Sequence, residues 1–573
     1  MSVHDPHAWD RQVPRAPRPV VYGIRRLLPS WRWLAEAMWW VEHSFGRARA
    51  DARPEEDTRV RIFVIATAFS VVFCCLALGA AHAALLTPRA GIGSAANPNA
   101  VARADIVDRN GALMATNITH YGLYIDPREV WDPELAAQQI KRALPRVSAS
   151  KLNRILAGDR RLIVLPGLTP QEKSAVHALA LGGVTFEPED RRVYPLDSSA
   201  RHVLGVADSG GQGLTGAELA FNADIRAAGQ KGESFPLSID LRVQGVLENE
   251  LGAAAAAVQA KGAVGVVVNA TTGEVLGMAS WPTSDNLNRV TSAHYEMGSV
   301  FKTFTIAASI DTGRADMNTM FDASQPYMIG NRRISDFHAT NKILSLEEVY
   351  LHSSNIGTSR MAVELGPQVM RDYFNRLGLL DAAPIELHES ARPRRPTNWE
   401  DSTRASMSFG YGIMITPLQM AAATVSLVNG GVFRPLSLRR GGAGGEGHRV
   451  VSPETSQAIR DLMRANVLRG SGKSANAQGL RLGGKTGSAN KLVNGRYDPR
   501  HGIGSFAAVF PADGPTDAQR YVVFVLIDEP SQGSQLGGAV AAPVVGRVAD
   551  RIAGFLGVQR RIDPPVQPVA VAP

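Results

Sequence analysis

The longest apolar stretch lies near the start of the chain, where residues 62–86 read IFVIATAFSVVFCCLALGAAHAALL without one Asp, Glu, Lys or Arg. At ~1.5 Å per residue, such a run is long enough to cross the ~30 Å apolar core of a bilayer as one helix. A cleaved signal peptide competes, because Ala81–Ala83 resembles a cleavage site. About sixty residues precede the run, however, and it exceeds the usual ~7–15 apolar residues. We therefore predict a single uncleaved transmembrane helix.

Charge predicts how this helix is oriented. Eleven arginines lie between Arg11 and Arg61, and positive residues flanking a membrane span favour the cytoplasmic side. Residues 1–61 are therefore predicted to form a basic cytoplasmic tail. The chain after residue 86 is expected on the far side of the membrane, in a periplasm-like space.

The exported part begins with a predicted linker at residues 87–100, which are small and polar and contain Pro and Gly. Residues 101–236 alternate short strand-like and helical patches with turns such as DRNG. No group of chemically reactive residues stands out among them. This stretch is predicted to be a first folded unit without a catalytic role.

A second unit is predicted from residue 237 to residue 558. It opens on a strong helical pattern in which Leu247 and Leu251 share one face. A β-hairpin is predicted from Val264 to Ser280, and a strand pair around a polar loop and a C-terminal helix follow later. Helices on an antiparallel sheet fit this order, so we expect a mixed α+β fold. Residues 559–573 are predicted to be a disordered tail.

Composition agrees with a folded chain of several units and disfavours some functions. The 573 residues are 45% hydrophobic and 20% charged, and this length exceeds one ordinary core. The net charge of +8 is weak support for nucleic-acid binding, and the chain has no dense Lys/Arg block with interleaved aromatics. The two cysteines, Cys74 and Cys75, lie inside the apolar run, so neither a disulfide framework nor a cysteine-based metal site is expected.

The decapeptide GLRLGGKTGS at Gly479–Ser488 fits two incompatible motifs. Taken from Gly479 it matches G-x-x-x-x-G-K-T, a phosphate-binding loop. Taken from Lys485 it is K-T-G followed by a hydroxyl residue, a signature of penicillin-binding serine enzymes. The first interpretation predicts a nucleotide hydrolase and the second an acyl transferase.

Two further motifs bear on this choice. The segment YEMGSVFKTF places Ser299 and Lys302 three residues apart, where one helical turn brings their side chains together. A serine hydroxyl needs a base beside it, and lysine can serve only if burial or nearby cations lower its pKa. The segment HSSN supplies Ser353, whose hydroxyl can relay a proton, and Asn355, whose amide can hold lysine and substrate. Taken alone, the first motif is common by chance and the second favours a helix cap.

The surroundings of the decapeptide argue against a phosphate loop. Such a loop should follow a buried strand and open a helix. Upstream lies the turn-rich GSGKSANAQG, and downstream the chain is broken by Asn-Gly and Asp-Pro. We therefore favour the second interpretation, in which Lys485, Thr486 and Ser488 offer a cation and hydroxyls to a substrate carboxylate. The small Gly487 would let the substrate lie against the strand.

The three motifs, in this order, resemble those of class B penicillin-binding proteins. The resemblance runs from about Arg103 to Val558 and includes DIVDRNGALMA and SFGYGIMITPLQMAAATVSLVNGG. Further residues at matching places are Arg191, Arg192, Gly216 and Glu218. The resemblance implies one N-terminal transmembrane helix, an elongated non-catalytic pedestal of the dimerisation type at 101–236, and a transpeptidase domain at 237–558.

The resemblance also implies roles for individual residues. Ser299 would be the acylated nucleophile and Lys302 its general base, while Ser353 and Asn355 would assist proton transfer and substrate placement. The residues that bind the substrate's terminal carboxylate would be Lys485, Thr486, Gly487 and Ser488. Backbone N–H groups of Ser299 and Ser488 would form the oxyanion hole. No cofactor or metal is implied.

The family activity implied is peptidoglycan D,D-transpeptidation. It cross-links stem peptides ending in D-Ala-D-Ala and is inhibited by β-lactams. The closest likeness is to division-specific members, which implies septal cell-wall synthesis and anchoring in the bacterial inner membrane with a periplasmic catalytic domain. It also implies enrichment at the septum. The partners implied are a polytopic glycan polymerase of the FtsW type and other divisome membrane proteins.

Two departures and three alternatives accompany this interpretation. Met297 stands where many relatives carry proline, and Ser488 where threonine is commoner; both keep the needed chemistry. The alternatives are an elongation-specific transpeptidase, a serine D,D-carboxypeptidase or β-lactamase-like hydrolase, and a non-catalytic scaffold with a decayed site. The intact motifs argue against the scaffold.

Overall fold

The computed structural model describes residue 65 and residues 67–77, 103–442 and 447–561. The chain forms two compact units, Met1–Ala95 and Ala96–Pro573. In the first unit the described residues are helical and carry exposed apolar side chains. Within the described ranges, no helix combines the length and apolar character needed to cross a membrane.

Several predictions concern residues outside these ranges. The predicted span 62–86 extends beyond the described helical residues on both sides. The predicted tail 1–61, the linker 87–100 and most of the C-terminal tail also fall outside. All four therefore stay predictions.

The second unit begins with a five-stranded sheet in residues 103–236, which we call the pedestal. Its strands β1 to β5 are Ile106–Val107, Leu113–Ile125, Leu162–Leu168, Val184–Val193 and Phe235–Pro236. Its helices α1 to α6 are Pro133–Ala143, Ala149–Leu156, Pro170–His177, Arg201–Leu204, Gly216–Ala220 and Asn222–Gln230. Strand β2 pairs antiparallel with β1, β3 and β4, and β1 pairs parallel with β5.

Short polar side chains begin the longer pedestal helices. Asp132 and Ser148 accept backbone N–H groups at the starts of α1 and α2. At α3, Thr169 and Glu172 cap each other's backbone N–H groups reciprocally. Each cap satisfies a donor that the first turn of a helix leaves unpaired, which fixes where the helix begins.

Residues 237–561 contain the three motifs, and we call them the catalytic part after their predicted role. Their strands β6 to β16 are Ala260–Asn269, Val275–Trp281, Met320–Asp322, Tyr327–Ile329, Arg332–Ile334, Ile343–Ser345, Val432–Phe433, His448–Arg449, Gly483–Val493, Arg496–Phe510 and Tyr521–Pro530. Five of these strands form one antiparallel sheet in the order β14-β15-β16-β6-β7. Helices α7 to α16 are Leu241–Ala257, Arg289–Ser292, Lys302–Asp311, Leu346–Leu351, Asn355–Arg376, Asp401–Ser408, Pro417–Val428, Pro453–Arg469, Gly537–Val540 and Ala542–Ile552. The predicted antiparallel sheet flanked by helices is confirmed.

Both faces of this sheet are covered, which explains why β6, β7 and β16 are apolar along most of their length. Val522 and Phe524 of β16 pack with α9 and α13 on one face, while Val523 and Val525 pack with α7 and α16 on the other. Successive side chains of a strand point to opposite faces, so a two-sided core requires an unbroken apolar run.

The core on the α9 side continues into the pedestal. Ile106 of β1, Val203 of α4 and Phe221, which precedes α6, belong to the same buried cluster as Phe304 of α9. A separate cluster fills the distal end of the pedestal, where Leu123, Ile140 and other apolar residues of β2, β3 and α1 to α3 meet. We call this separate cluster the distal core. The base of the pedestal therefore shares its core with the catalytic part.

Next to this shared core lies a buried ionic cluster. Glu218 is fully buried and accepts hydrogen bonds from the guanidinium groups of Arg103, at 2.6 Å, and Arg192, at 2.7 Å. Arg103 also donates to the side chain of Asn222, and Arg192 donates to that of Asn117. Each buried charge thus meets an opposite charge and further polar partners, as burial requires.

Candidate active site

Ser299 lies in a 3-10 turn, Gly298–Phe301, that leads directly into α9. Gly298 has φ +60°, and a Cβ atom there would lie 2.3 Å from the Ser488 carbonyl oxygen. Only glycine fits this combination of a left-handed backbone and a close neighbour. The turn therefore holds the Ser299 hydroxyl, which is half-buried, directly beside strand β14.

Lys302 is fully buried one helical turn beyond Ser299. Its Nζ donates to Ser299 Oγ at 2.8 Å, to Ser353 Oγ at 2.9 Å and to the Ser353 carbonyl at 2.5 Å. Burial holds the pKa of Lys302 well below its usual value, and the charge of Lys485 lowers it further, while Asp336 opposes the shift. A lowered pKa makes the lysine more readily neutral, and a neutral lysine can accept the proton of Ser299.

Lys485 reaches the hydroxyl of Ser353 from β14, an edge strand of the sheet. Its Nζ donates to Ser353 Oγ at 3.0 Å and lies 5.5 Å from the centre of the buried Tyr350 ring. Burial lowers the pKa of Lys485 to about 7. Because Ser353 Oγ accepts from both lysines, its own proton is free to be donated elsewhere.

Ser353 adopts a left-handed backbone conformation, with φ +56°, just before α11. The next residue, Ser354, caps that helix by accepting the N–H of Gly357 at 3.0 Å. The helix cap therefore falls on Ser354, which leaves the hydroxyl of Ser353 available for its predicted catalytic role. Asn355 is half-buried and donates its amide to the Ser335 carbonyl at 3.0 Å. Its predicted contact with lysine is not among the hydrogen bonds of the described residues.

The K-T-G-S residues follow the alternation of a strand. Thr486 Oγ1 lies 2.7 Å from Ser471 Oγ, and Ser488 Oγ accepts the N–H of Gly537 at 3.0 Å. The structure gives a packing reason for Gly487, while its predicted closeness to substrate stays a prediction. A Cβ atom there would lie 2.4 Å from the Met297 carbonyl and from Val300 Cγ2. Glycine is needed because the turn that carries Ser299 packs directly against the strand at this position.

The phosphate-loop interpretation is excluded by the same strand. Lys485 and Thr486 lie within β14, whereas a phosphate loop would place them at the start of a helix. The upstream segment GSGKS, Gly470–Ser474, also partly matches a phosphate loop, but it runs from the end of α14 into the short 3-10 turn Lys473–Ala475. In the described ranges, no three His, Cys, Asp or Glu side chains are arranged to hold a metal ion.

Sequence reasoning missed two polar contributors to this site. Asp336, in the loop after β10, accepts hydrogen bonds from the Ser354 hydroxyl and from the Ile356 N–H. Ser471, just after α14, contacts the Thr486 hydroxyl. Both act on residues at least fifteen positions away, and neither belongs to a local motif.

Comparison with known proteins agrees with this architecture. Residues 98–226 match the family model for the penicillin-binding protein dimerisation domain, and residues 263–550 match that for the penicillin-binding protein transpeptidase domain. The chain is 49% identical over 559 residues to the probable peptidoglycan D,D-transpeptidase FtsI of Caulobacter vibrioides, covering 93% of this chain and 95% of that relative.

More distant relatives show the same pattern. The probable peptidoglycan D,D-transpeptidase PenA of Neisseria gonorrhoeae is 30% identical, over 82% of this chain and 86% of PenA. The solved transpeptidase domain of Burkholderia pseudomallei penicillin-binding protein 3 is 31% identical, with a TM-score of 0.53, and covers 58% of this chain and 98% of that domain. The chain therefore belongs to the class B penicillin-binding proteins.

Proposed function

We propose that the protein is a peptidoglycan D,D-transpeptidase that cross-links stem peptides through an acyl-enzyme on Ser299. The observation that carries the proposal is the 2.8 Å contact between Ser299 Oγ and the Nζ of the fully buried Lys302. A nucleophile beside a base whose pKa is lowered by burial is the arrangement that covalent catalysis requires.

In the acylation step, Ser299 Oγ attacks the carbonyl carbon of the D-Ala-D-Ala peptide bond while Lys302 takes its proton. Backbone N–H groups of Ser299 and Ser488 would stabilise the oxyanion. The close packing of Gly298 against the Ser488 backbone supports this, because it places that backbone directly beside the turn that carries Ser299. The C–N bond then breaks, and the departing D-Ala amine takes a proton from Ser353, which Lys302 resupplies.

In the second step, an amine of a neighbouring stem peptide attacks the ester carbonyl. Lys302, neutral again, accepts the proton of that amine, directly or through Ser353. The ester C–O bond breaks, a new amide bond forms, and Ser299 Oγ recovers its proton. No net proton is gained or lost, so the lysine returns to its starting state for the next cycle.

Substrate binding is assigned to the open edge of β14. An edge strand has unpaired backbone groups along one side, and an extended peptide can pair with them. Lys485, Thr486 and Ser488 would hold the terminal carboxylate through a cation and two hydroxyls. Asn355 would contact the bound peptide from the opposite side of the cleft, with its side chain oriented by the Ser335 carbonyl.

The cellular setting is proposed from family membership. The FtsI relatives support a role in septal wall synthesis. The apolar run 62–86 supports a single N-terminal anchor in the inner membrane, with the catalytic part in the periplasm. A polytopic glycan polymerase of the FtsW type and other divisome membrane proteins are the partners that this setting calls for.

Labelling with a fluorescent penicillin tests the active site. The wild-type protein should take a covalent label that survives denaturation, and Ser299→Ala should take none, because it lacks the hydroxyl on which the acyl bond would form. Equal labelling of both proteins would overturn the assignment. A folded-state check by melting temperature controls for misfolding of the variant.

Two further measurements separate the alternatives. An acyl-enzyme that persists for many minutes indicates a transpeptidase, whereas rapid loss of the label indicates a β-lactamase-like hydrolase. Depletion in cells should give filaments without septa, while swollen, rounded cells would indicate an elongation-specific enzyme.

A further inference from the structure

The catalytic turn at Ser353 needs outside support. Ser353 presents both its hydroxyl and its carbonyl to Lys302, and it can do so because its backbone is left-handed, with φ +56°. This conformation is disfavoured for residues other than glycine, so surrounding contacts must hold it. The residue that follows, Ser354, caps α11, and the turn is therefore fixed only as well as the start of that helix is fixed.

Asp336 holds the start of this helix. Its carboxylate accepts the Ser354 hydroxyl at 2.7 Å and the Ile356 N–H at 2.9 Å. The preceding carbonyl, that of Ser335, accepts the amide of Asn355 at 3.0 Å. Three consecutive residues after Ser353 are thus tied to a two-residue segment that lies elsewhere in the chain. A carboxylate is also the favourable charge at a helix N-terminus.

Asp336 is in addition the carboxylate whose charge acts on Lys302. The ionisable groups that influence Lys302 are Lys485, on β14, and Asp336, in the loop after β10. The buried ring of Tyr350, on α10, faces Lys485 but carries no charge at neutral pH. Asp336 therefore opposes the effect that burial and Lys485 have on the charge state of Lys302.

We propose that Asp336 is a positioning residue for acylation, which holds the Ser353 turn against Lys302 and supplies a negative charge toward that lysine. The proposal rests on the proposed role of Ser299 and Lys302. It assigns two separable functions to one side chain, a geometric one through Ser354 and Ile356 and an electrostatic one toward Lys302. The two functions predict different effects on the pH dependence of acylation.

Three variants of the full-length protein separate these functions. Asp336→Asn keeps an acceptor for Ile356 but removes the charge. Ser354→Ala removes the hydroxyl that links Asp336 to the cap but keeps the charge. Asp336→Ala removes both. The matched control is Asp322→Asn, because Asp322 also accepts a serine hydroxyl, that of Ser324 at 2.5 Å, and a backbone N–H, but lies at the exposed end of β8.

The measurement is the second-order rate constant of acylation by a fluorescent penicillin, from about pH 5 to about pH 8. Asp336→Ala should lower the rate by about 10- to 100-fold, the loss expected when a catalytic group is misplaced by roughly 1 Å. Asp336→Asn should move the acid limb of the profile to lower pH, because a less stabilised ammonium gives up its proton more readily. Ser354→Ala should lower the rate without moving that limb.

The controls decide what a negative result means. If Asp336→Ala and Asp336→Asn acylate like Asp322→Asn at every pH, the positioning role is wrong. It is also wrong if the rate falls only in proportion to the folded fraction, as judged by melting, with the acid limb unmoved. If the wild type labels but Ser299→Ala labels equally, the failure belongs to the proposed active site and not to Asp336.

Discussion

The active-site cleft and the pedestal each bury two basic side chains, but the groups that face these side chains differ in charge. In the pedestal, Arg103 and Arg192 share the carboxylate of Glu218 at distances below 3 Å. In the cleft, Lys302 and Lys485 converge on the neutral hydroxyl of Ser353. All four side chains are almost fully removed from water. The difference lies in what faces them, because only the pedestal supplies a carboxylate within hydrogen-bonding distance.

This difference separates a cluster that supports the fold from one that supports chemistry. A buried cation paired with a carboxylate stays charged and fixes the packing around it. A buried lysine without such a partner lowers its pKa and becomes a base at neutral pH. Solvent exposure alone does not distinguish the two clusters. The charge of the group that faces the buried side chains distinguishes them.

The largest effect should come from removing the cleft's base. Lys302→Met replaces the lysine with an apolar side chain of similar length, and acylation should fall by about 10²- to 10⁴-fold, the usual contribution of a general base. The melting temperature should stay within about 2 °C of wild type, because no buried ion pair is broken. The acylation rate constant and a melting curve measure the two quantities. Lys231→Met, at an exposed position of the pedestal, is the control that should change neither.

The reverse result is expected in the pedestal. Glu218→Gln leaves two buried guanidinium groups without a balancing charge, so the free energy of unfolding should fall by about 3–5 kcal/mol. The acylation rate of the folded fraction should be unchanged. Glu172→Gln is the matched control, because Glu172 pairs with Arg146 near the surface and such pairs contribute about 0–1 kcal/mol. Equal losses in thermal melting would show that burial does not distinguish the two clusters.

The smallest expected effect is on the pH dependence of the acylation rate. Burial lowers the pKa of Lys485 to about 7, so the ammonium that would hold a substrate carboxylate is lost as the pH rises through that value. The acylation rate constant should therefore decline above about pH 7, by up to about tenfold per pH unit. Lys485→Arg keeps its charge in this range and should flatten the alkaline decline, whatever its absolute rate. A decline of the same shape in both proteins would assign it to another group.

Most of the catalytic sheet could be predicted from the sequence. The hairpin expected at Val264–Ser280 appears as β6 and β7, and the helical pattern from residue 237 appears as α7, Leu241–Ala257, begun by the side chain of Asp240. Periodicity and turn residues encode such elements locally. The order of three short motifs was likewise sufficient to predict that Ser299, Lys302 and Ser353 meet.

What could not be predicted depends on contacts between distant segments. The support that Asp336 gives to Ser354, and the packing of the Met297 carbonyl against Gly487, join parts of the chain that share no local pattern. The left-handed backbone of Ser353 could not be predicted either, because serine has no preference for that conformation. One core crosses the predicted boundary at residue 236, and this too is seen only in how the two parts pack.

That shared core has a consequence for how the molecule unfolds. The base of the pedestal cannot open without exposing apolar residues of the catalytic part, so the two should lose structure in one cooperative step. The distal core stands apart, and its helices α1 to α3 can open while the cleft stays intact. In hydrogen exchange, amides of the distal core should therefore become labelled well before those of β1 and α9. The border between the protein's folding units then runs through the middle of β2, not between its two domains.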